Sequence, residues 1–182
     1  MKNIILISIT FLSITSVVGQ TKYFTKTGNI IFEASVPSFE EIKSENNSVT
    51  AIIDTDTQEF AVLALMKAFR FKIALMEEHF NENYLESDTY PKATFKGKLV
   101  KFELSKLSQT PQKIQLNGIL NIHNKSKEIS TIALVSLKDN SINLTANFNI
   151  KPEDFDVKIP SIVKEKIAKE INIHINLDMQ KK

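Results

Sequence analysis

The sequence predicts an all-β protein in which about eight antiparallel strands close into a barrel with one helix inserted between them. Three observations lead there. Apolar residues recur mainly with a period of two, the breaks between periodic runs are short and rich in Asn and Asp, and the chain has no cysteine that could staple a smaller, loop-rich fold.

The first element is a leader. After Met1 and the cation Lys2, positions 4 to 18 are apolar apart from Ser and Thr. A membrane-spanning helix needs roughly 20 apolar residues, and this run falls short. Val17 and Gly19 are the small residues expected just before a cleavage point, so residues 1–19 are read as a signal peptide and the folded domain as residues 20–182. A domain of that length is large enough to bury a core without disulfides.

The strands follow in order at 22–33 (one strand, or two divided at Gly28), 48–54, 58–67, 92–104, 112–123, 126–137, 140–150 and 170–179. Two of them alternate without a fault. Ile142, Leu144, Ala146, Phe148 and Ile150 are interleaved with polar residues, as are Ile171, Ile173, Ile175, Leu177 and Met179. In the 112–123 strand Gly118 takes an inward slot between Leu116 and Leu120, which implies a bend or a close approach. Asp54-Thr55-Asp56-Thr57, His123-Asn124-Lys125 and Lys138-Asp139-Asn140 supply the hairpin turns. Phe69, Ile73, Met76 and Phe80 are spaced by four, three and four, which places them on one face of a helix over about 71–80. A turn or short helix near 161–168, capped by Ser161 after Pro160, precedes the last strand.

Strands joined by short hairpins favour an up-and-down barrel over an open sandwich, because closure removes the exposed edges. An eight-stranded barrel holds either packed side chains or one small ligand. Periodicity does not separate the two.

Composition narrows the function. The chain has 23 Lys and Arg against 21 Asp and Glu, and without the leader 22 against 21, with the two signs interspersed throughout. No basic face for a nucleic acid is apparent. The histidines His79, His123 and His174 lie far apart, so no metal is expected. Glu77-Glu78-His79 lacks a second histidine four residues on, since Asn83 stands there, and the four glycines form neither a nucleophile elbow nor a phosphate loop. The carboxylates Asp54 and Asp56 read as turn residues that bond to backbone. No catalytic residue and no cofactor is expected.

Apolar surface remains. There are 12 Phe and no Trp, and Phe32, Phe60, Phe69, Phe71, Phe80, Phe95 and Phe148 sit where they can point inward. The same residue types build an ordinary core or line a ligand cavity.

The stretch from 79 to 97, HFNENYLESDTYPKATFKG, resembles the YceI family of exported lipid-binding proteins. It carries a His79-Phe80 pair closing the helix, a short acidic link, Tyr90-Pro91, and Ala93-Thr94-Phe95 opening a strand. Gly118-x-Leu120-x-Ile122-His123 before Lys127, and Phe148-x-Ile150 leading to Asp154-Phe155, extend the likeness along the chain. Asn81 to Leu85, Ile30 to Ala34 and the 37–47 connection depart from it. The resemblance implies a lipocalin-like barrel holding a polyisoprenoid such as a quinone tail. It makes Phe32, Phe69, Phe71, Met76, Phe80, Phe95 and Phe148 the candidate ligand-binding residues, with Phe71, Met76 and Phe80 near the mouth and Phe95 and Phe148 inside. The expected partners are an apolar lipid and, transiently, a membrane, in a periplasmic or secreted location; a dimer is compatible with the sequence. The rival readings are an envelope protein–protein interaction module with a filled core and, more remotely, a lipid-processing enzyme using His79.

Overall fold

The computed structural model describes residues 21–182, so the expected leader and cleavage point lie outside the described residues. Nine strands form one antiparallel sheet: β1 (Lys22–Glu33), β2 (Lys43–Asp54), β3 (Glu59–Leu65), β4 (Arg70–Phe71), β5 (Lys92–Leu99), β6 (Gln112–Ile122), β7 (Lys125–Lys138), β8 (Ser141–Ile150) and β9 (Ile171–Lys181). Eight of them close into a barrel. Around the ring the order is β1-β9-β8-β7-β6-β5-β3-β2, and β2 pairs back onto β1, so the wall has no free edge strand.

The two-residue β4 pairs Phe71 with Ser44 and Arg70 with Glu45, on the part of β2 beyond its ladder with β3. Between the two ladders the buried Asn46 amide takes the place of a strand. It donates to the Leu65 carbonyl at 3.1 Å, while its oxygen accepts from the Ser48 amide at 2.9 Å. A polar side chain at this position satisfies backbone that no neighbouring strand reaches.

Several boundaries differ from expectation. β1 runs unbroken through Gly28, with register shifts against β2 on both sides of that residue. Any Cβ at Gly28 would collide with Leu177, so the glycine answers a close approach and not an interruption. The second strand starts at Lys43, and the fourth expected strand ends at Leu99, ahead of a 3₁₀ turn at Leu104–Lys106. The hairpin turns fall where Asn and Asp predict them. His123 and Asn124, and likewise Asp139 and Asn140, are left-handed pairs that close two-residue turns matched to the twist of their strands.

The helix is displaced. Helix α1 spans Ala74–His79 and continues as a wider π-helical turn through Phe80–Tyr84, instead of occupying 71–80. Phe71 remains extended in β4, and the Glu77 carboxylate accepts its N–H at 3.1 Å and receives Arg70 at 2.6 Å. Phe69 and Ile73 therefore precede the helix and do not share its face. Downstream, the Asn81 amide donates to the Glu77 carbonyl, and the Leu85 N–H reaches back five residues to Phe80. His79-Phe80 thus lies in mid-helix and does not end it. Near 161–168 the expected turn forms at 161–163 and runs into a 3₁₀ turn, Lys164–Lys166, but Ser161 does not cap it: Val163 stands at the cap position without a side-chain hydrogen bond.

The barrel ends are unlike. At the end with the 55–58 and 139–140 turns, Tyr23, Leu99, Phe102, Ile142 and Met179 are fully buried and fill the interior. The long connections 34–42, 66–91 and 151–170 all gather at the opposite end.

Candidate ligand-binding cavity

Toward that second end the inward side chains stop meeting across the barrel and leave a cavity of about 290 Å³. The transition shows in single strands. In β9 Leu177 and Met179 are 0 % exposed, whereas Ile171 and Ile175 keep 9 % and 8 %, because they face space instead of another side chain. Gly97 and Gly118 are paired across β5 and β6 behind one of its lining rings. With no side chains of their own they admit the Phe95 ring, which lies across both; a Cβ on Gly118 would stand 2.5 Å from the ring and 2.5 Å from the Lys96 carbonyl oxygen.

All seven phenylalanine and methionine residues singled out from the sequence line this one cavity. Phe32 of β1 is the centre of an aromatic wall, with ring centroids 5.6 Å from Phe69, 5.5 Å from Phe71 and 5.3 Å from Phe80. Phe71 and Phe80 are 5.2 Å apart, with their rings tilted by 52°. Met76 joins them from α1. Phe95 lies deeper, 5.9 Å from Phe60, and Phe148 stands on β8. Sequence reasoning missed Val62, Leu120, Ile129 and Ile173 as lining residues, together with Val163 and Ile167 of the last connection. Strand parity marks the first four as inward but carries no information on height along the barrel. No periodicity marks the last two.

The chemistry of the lining is almost uniformly apolar. None of its residues is Asp or Glu, and its polar members are Thr94, Thr131, Tyr84, His79 and Lys166. His79 and Lys166 are exposed as well as lining, which places the mouth between α1 and the 151–170 connection. Such a space dissolves an apolar chain and offers no deep acid or base.

The wall has a seam. The β7–β8 ladder pairs only 133–138 with 141–146, although β7 stays paired to β6 as far as Lys125 and β8 to β9 as far as Ile150. Beyond it Ile129 and Thr131 of β7, and Phe148 and Ile150 of β8, line the cavity from the two splayed sides. The Thr131 hydroxyl donates to the Asn147 carbonyl at 2.9 Å at the apex. Lys127–Asp154 at 2.8 Å and Lys125–Asp156 at 2.7 Å tie β7 to the connection after β8.

The histidines remain apart. His123 is packed against Tyr90 at 4.4 Å, with Nδ1 3.1 Å from the Phe155 carbonyl and Nε2 3.4 Å from Glu86, where it stitches three connections together. His174 contacts Asn147 at 2.7 Å. Among the described residues no three His, Asp or Glu side chains converge as a metal site would require.

Comparison with known proteins agrees with this architecture. The family model described as YceI-like domain matches residues 7–179. A polyisoprenoid-binding domain from Saccharophagus degradans, implicated in plant cell wall breakdown, superimposes with a TM-score of 0.78 at 15% identity, covering 90% of this chain and 100% of that one. BcnA of Burkholderia cenocepacia gives 0.68 at 15% identity over 82% of this chain and 95% of its own. The YCEI protein of Campylobacter jejuni gives 0.55 at 18% identity over 100% and 99%. Among curated proteins none matches the chain in sequence.

Proposed function

Since the chain belongs to the family of YceI-like domain proteins, we propose that it is an exported, non-enzymatic carrier that holds a polyisoprenoid or similar lipid in the barrel, bound by Phe32, Phe69, Phe71, Met76, Phe80, Phe95 and Phe148. The observation that carries this reading is the cavity: about 290 Å³, apolar on every strand that borders it and continuous with an exposed mouth. The polyisoprenoid-binding domain of Saccharophagus degradans supports the ligand class.

Affinity in such a site comes from removing hydrocarbon from water, at about 0.8 kcal/mol per buried CH₂, less the cost of ordering the chain. A few isoprene units suffice. With no charged group at depth, selectivity is expected to follow length and branching more than headgroup. A filled-core interaction module needs no cavity, and the space among Phe32, Phe95 and Phe148 favours the carrier over it.

Native mass spectrometry of the protein purified from its own host without detergent, with lipid analysis of an organic extract, tests the reading. A stoichiometric long-chain isoprenoid is the expected result. A clean apo mass together with failure to take up added polyprenols or quinones would overturn it.

A further inference from the structure

We infer that the rim of the cavity mouth is a docking surface for an anionic phospholipid bilayer, with Ile162 inserting and the lysines around it contacting headgroups. The inference rests on the carrier reading, which requires cargo of negligible water solubility to pass between a membrane and the barrel.

Ile162 is 86 % exposed, the most exposed of the large apolar residues. It lies two residues after Pro160 in the connection before β9, next to Val163 and four residues from Lys166, both of which line the cavity. Leu75, 56 % exposed, precedes His79 by one helical turn on the same face of α1, and His79 also borders the mouth. Two protruding apolar side chains thus flank the opening from its two sides. Ile162 stands well apart from the other exposed apolar residues, of which Leu75 and Ile119, at 56 % and 51 %, come next.

Charge selects the partner. The chain as a whole is close to neutral, at +2, yet residues 158–169 hold Lys158, Lys164, Lys166 and Lys169 against the single acid Glu165. Among the described residues none of these four lysines forms an ion pair. An apolar tip within a basic segment matches an anionic interface, where the tip enters the acyl boundary and the lysines meet phosphate. The adjoining 34–42 loop, whose Ala34 carbonyl accepts the Ala168 N–H, carries Glu40 and Glu41, and the helical stretch 74–84 carries Glu78 and Glu82, so the docking edge is the 158–169 segment itself. Seated that way, the mouth opens onto the lipid.

Flotation with vesicles tests this, using protein purified from cells expressing the full 182-residue chain. The wild type is expected to float with phosphatidylcholine vesicles containing phosphatidylglycerol and much less with phosphatidylcholine alone. Ile162→Asp, and separately Lys164→Glu with Lys169→Glu, should lower the bound fraction about tenfold or more. Neither change touches the cavity lining, so both variants should keep wild-type uptake of a polyprenol from detergent solution and a wild-type melting curve. Equal flotation of wild type and Ile162→Asp, or no flotation of the wild type, would overturn the docking surface. Self-association of the wild type without vesicles, abolished by Ile162→Asp, would overturn it by assigning the rim to a second copy. Failure of the wild type to take up polyprenol from detergent would instead remove the carrier reading, whatever the flotation result.

Discussion

Phe148 and Phe95 were equivalent candidates in the sequence, and their surroundings make them different probes. Phe148 is half-buried on a seam strand and faces open space, so Phe148→Asp should leave the barrel folded while placing a carboxylate where the lipid chain would lie. The expected outcome is a loss of bound polyprenol by about tenfold or more with little change in melting temperature; lipid content at the wild-type level would place the ligand elsewhere. Phe95 also covers Gly97 and Gly118, so its truncation would strip packing from the wall as well as the cavity. A second residue-scale test concerns Asp54. Its side chain accepts the N–H groups of Asp56 and Thr57, both at 3.1 Å, and lies 3.6 Å from the Lys22 ammonium. The backbone N–H of Thr57, then that of Asp56 and the lysine charge, hold its carboxyl below the ordinary aspartate value of 3.8, against the opposing effect of desolvation. A depressed folded pKa stabilises the protein above the unfolded pKa, and that stabilisation disappears as pH falls through the folded value. Asp54→Asn should therefore melt lower than wild type at neutral pH, with the gap closing in acid; a gap independent of pH would show that the charge contributes nothing.

At the scale of elements, the helix and the seam show how tertiary contacts reshape what local pattern suggests. The spacing of Phe69, Ile73, Met76 and Phe80 fits a helical face, yet Phe69 and Phe71 reach the aromatic wall from extended backbone because β2 offers a free edge at Ser44 and Glu45. Helix propensity over 71–73 loses to a strand pairing and to the Glu77 carboxylate that anchors it. The seam has no sequence signature, since Ile129 and Phe148 alternate as faithfully as paired positions do. Unpaired amides open without breaking a ladder. Hydrogen exchange should accordingly be faster at the amides of residues 126–132 and 147–150 that point into the seam than at their counterparts in 133–138 and 141–146, and polyprenol loading should slow it, because the side chains lining the splayed sides then pack on the ligand. Uniform protection across β7 and β8 would rule out a splayed wall.

For the molecule as a whole, strand parity and turn chemistry were enough to lay out antiparallel strands joined by short hairpins, with closure favoured over a sandwich, because both signals are local: a residue faces in or out by its position in the pleat, and Asn and Asp accept left-handed turns such as those at 123–124 and 139–140. Parity also picked out the phenylalanines that line the cavity. It did not say whether they would meet one another. That depends on how far apart opposite strands stand at each height, which is a property of closure and of side-chain volumes contributed by strands distant in sequence. At one end Tyr23, Phe102 and Met179 fill the bore; at the other, long connections and the unzipped β7–β8 seam hold the strands apart and leave Phe32, Phe95 and Phe148 around open space. Inwardness is thus written in the sequence residue by residue, while the cavity and its mouth are set by tertiary structure, because volume left empty is a sum over the whole barrel that no local pattern records.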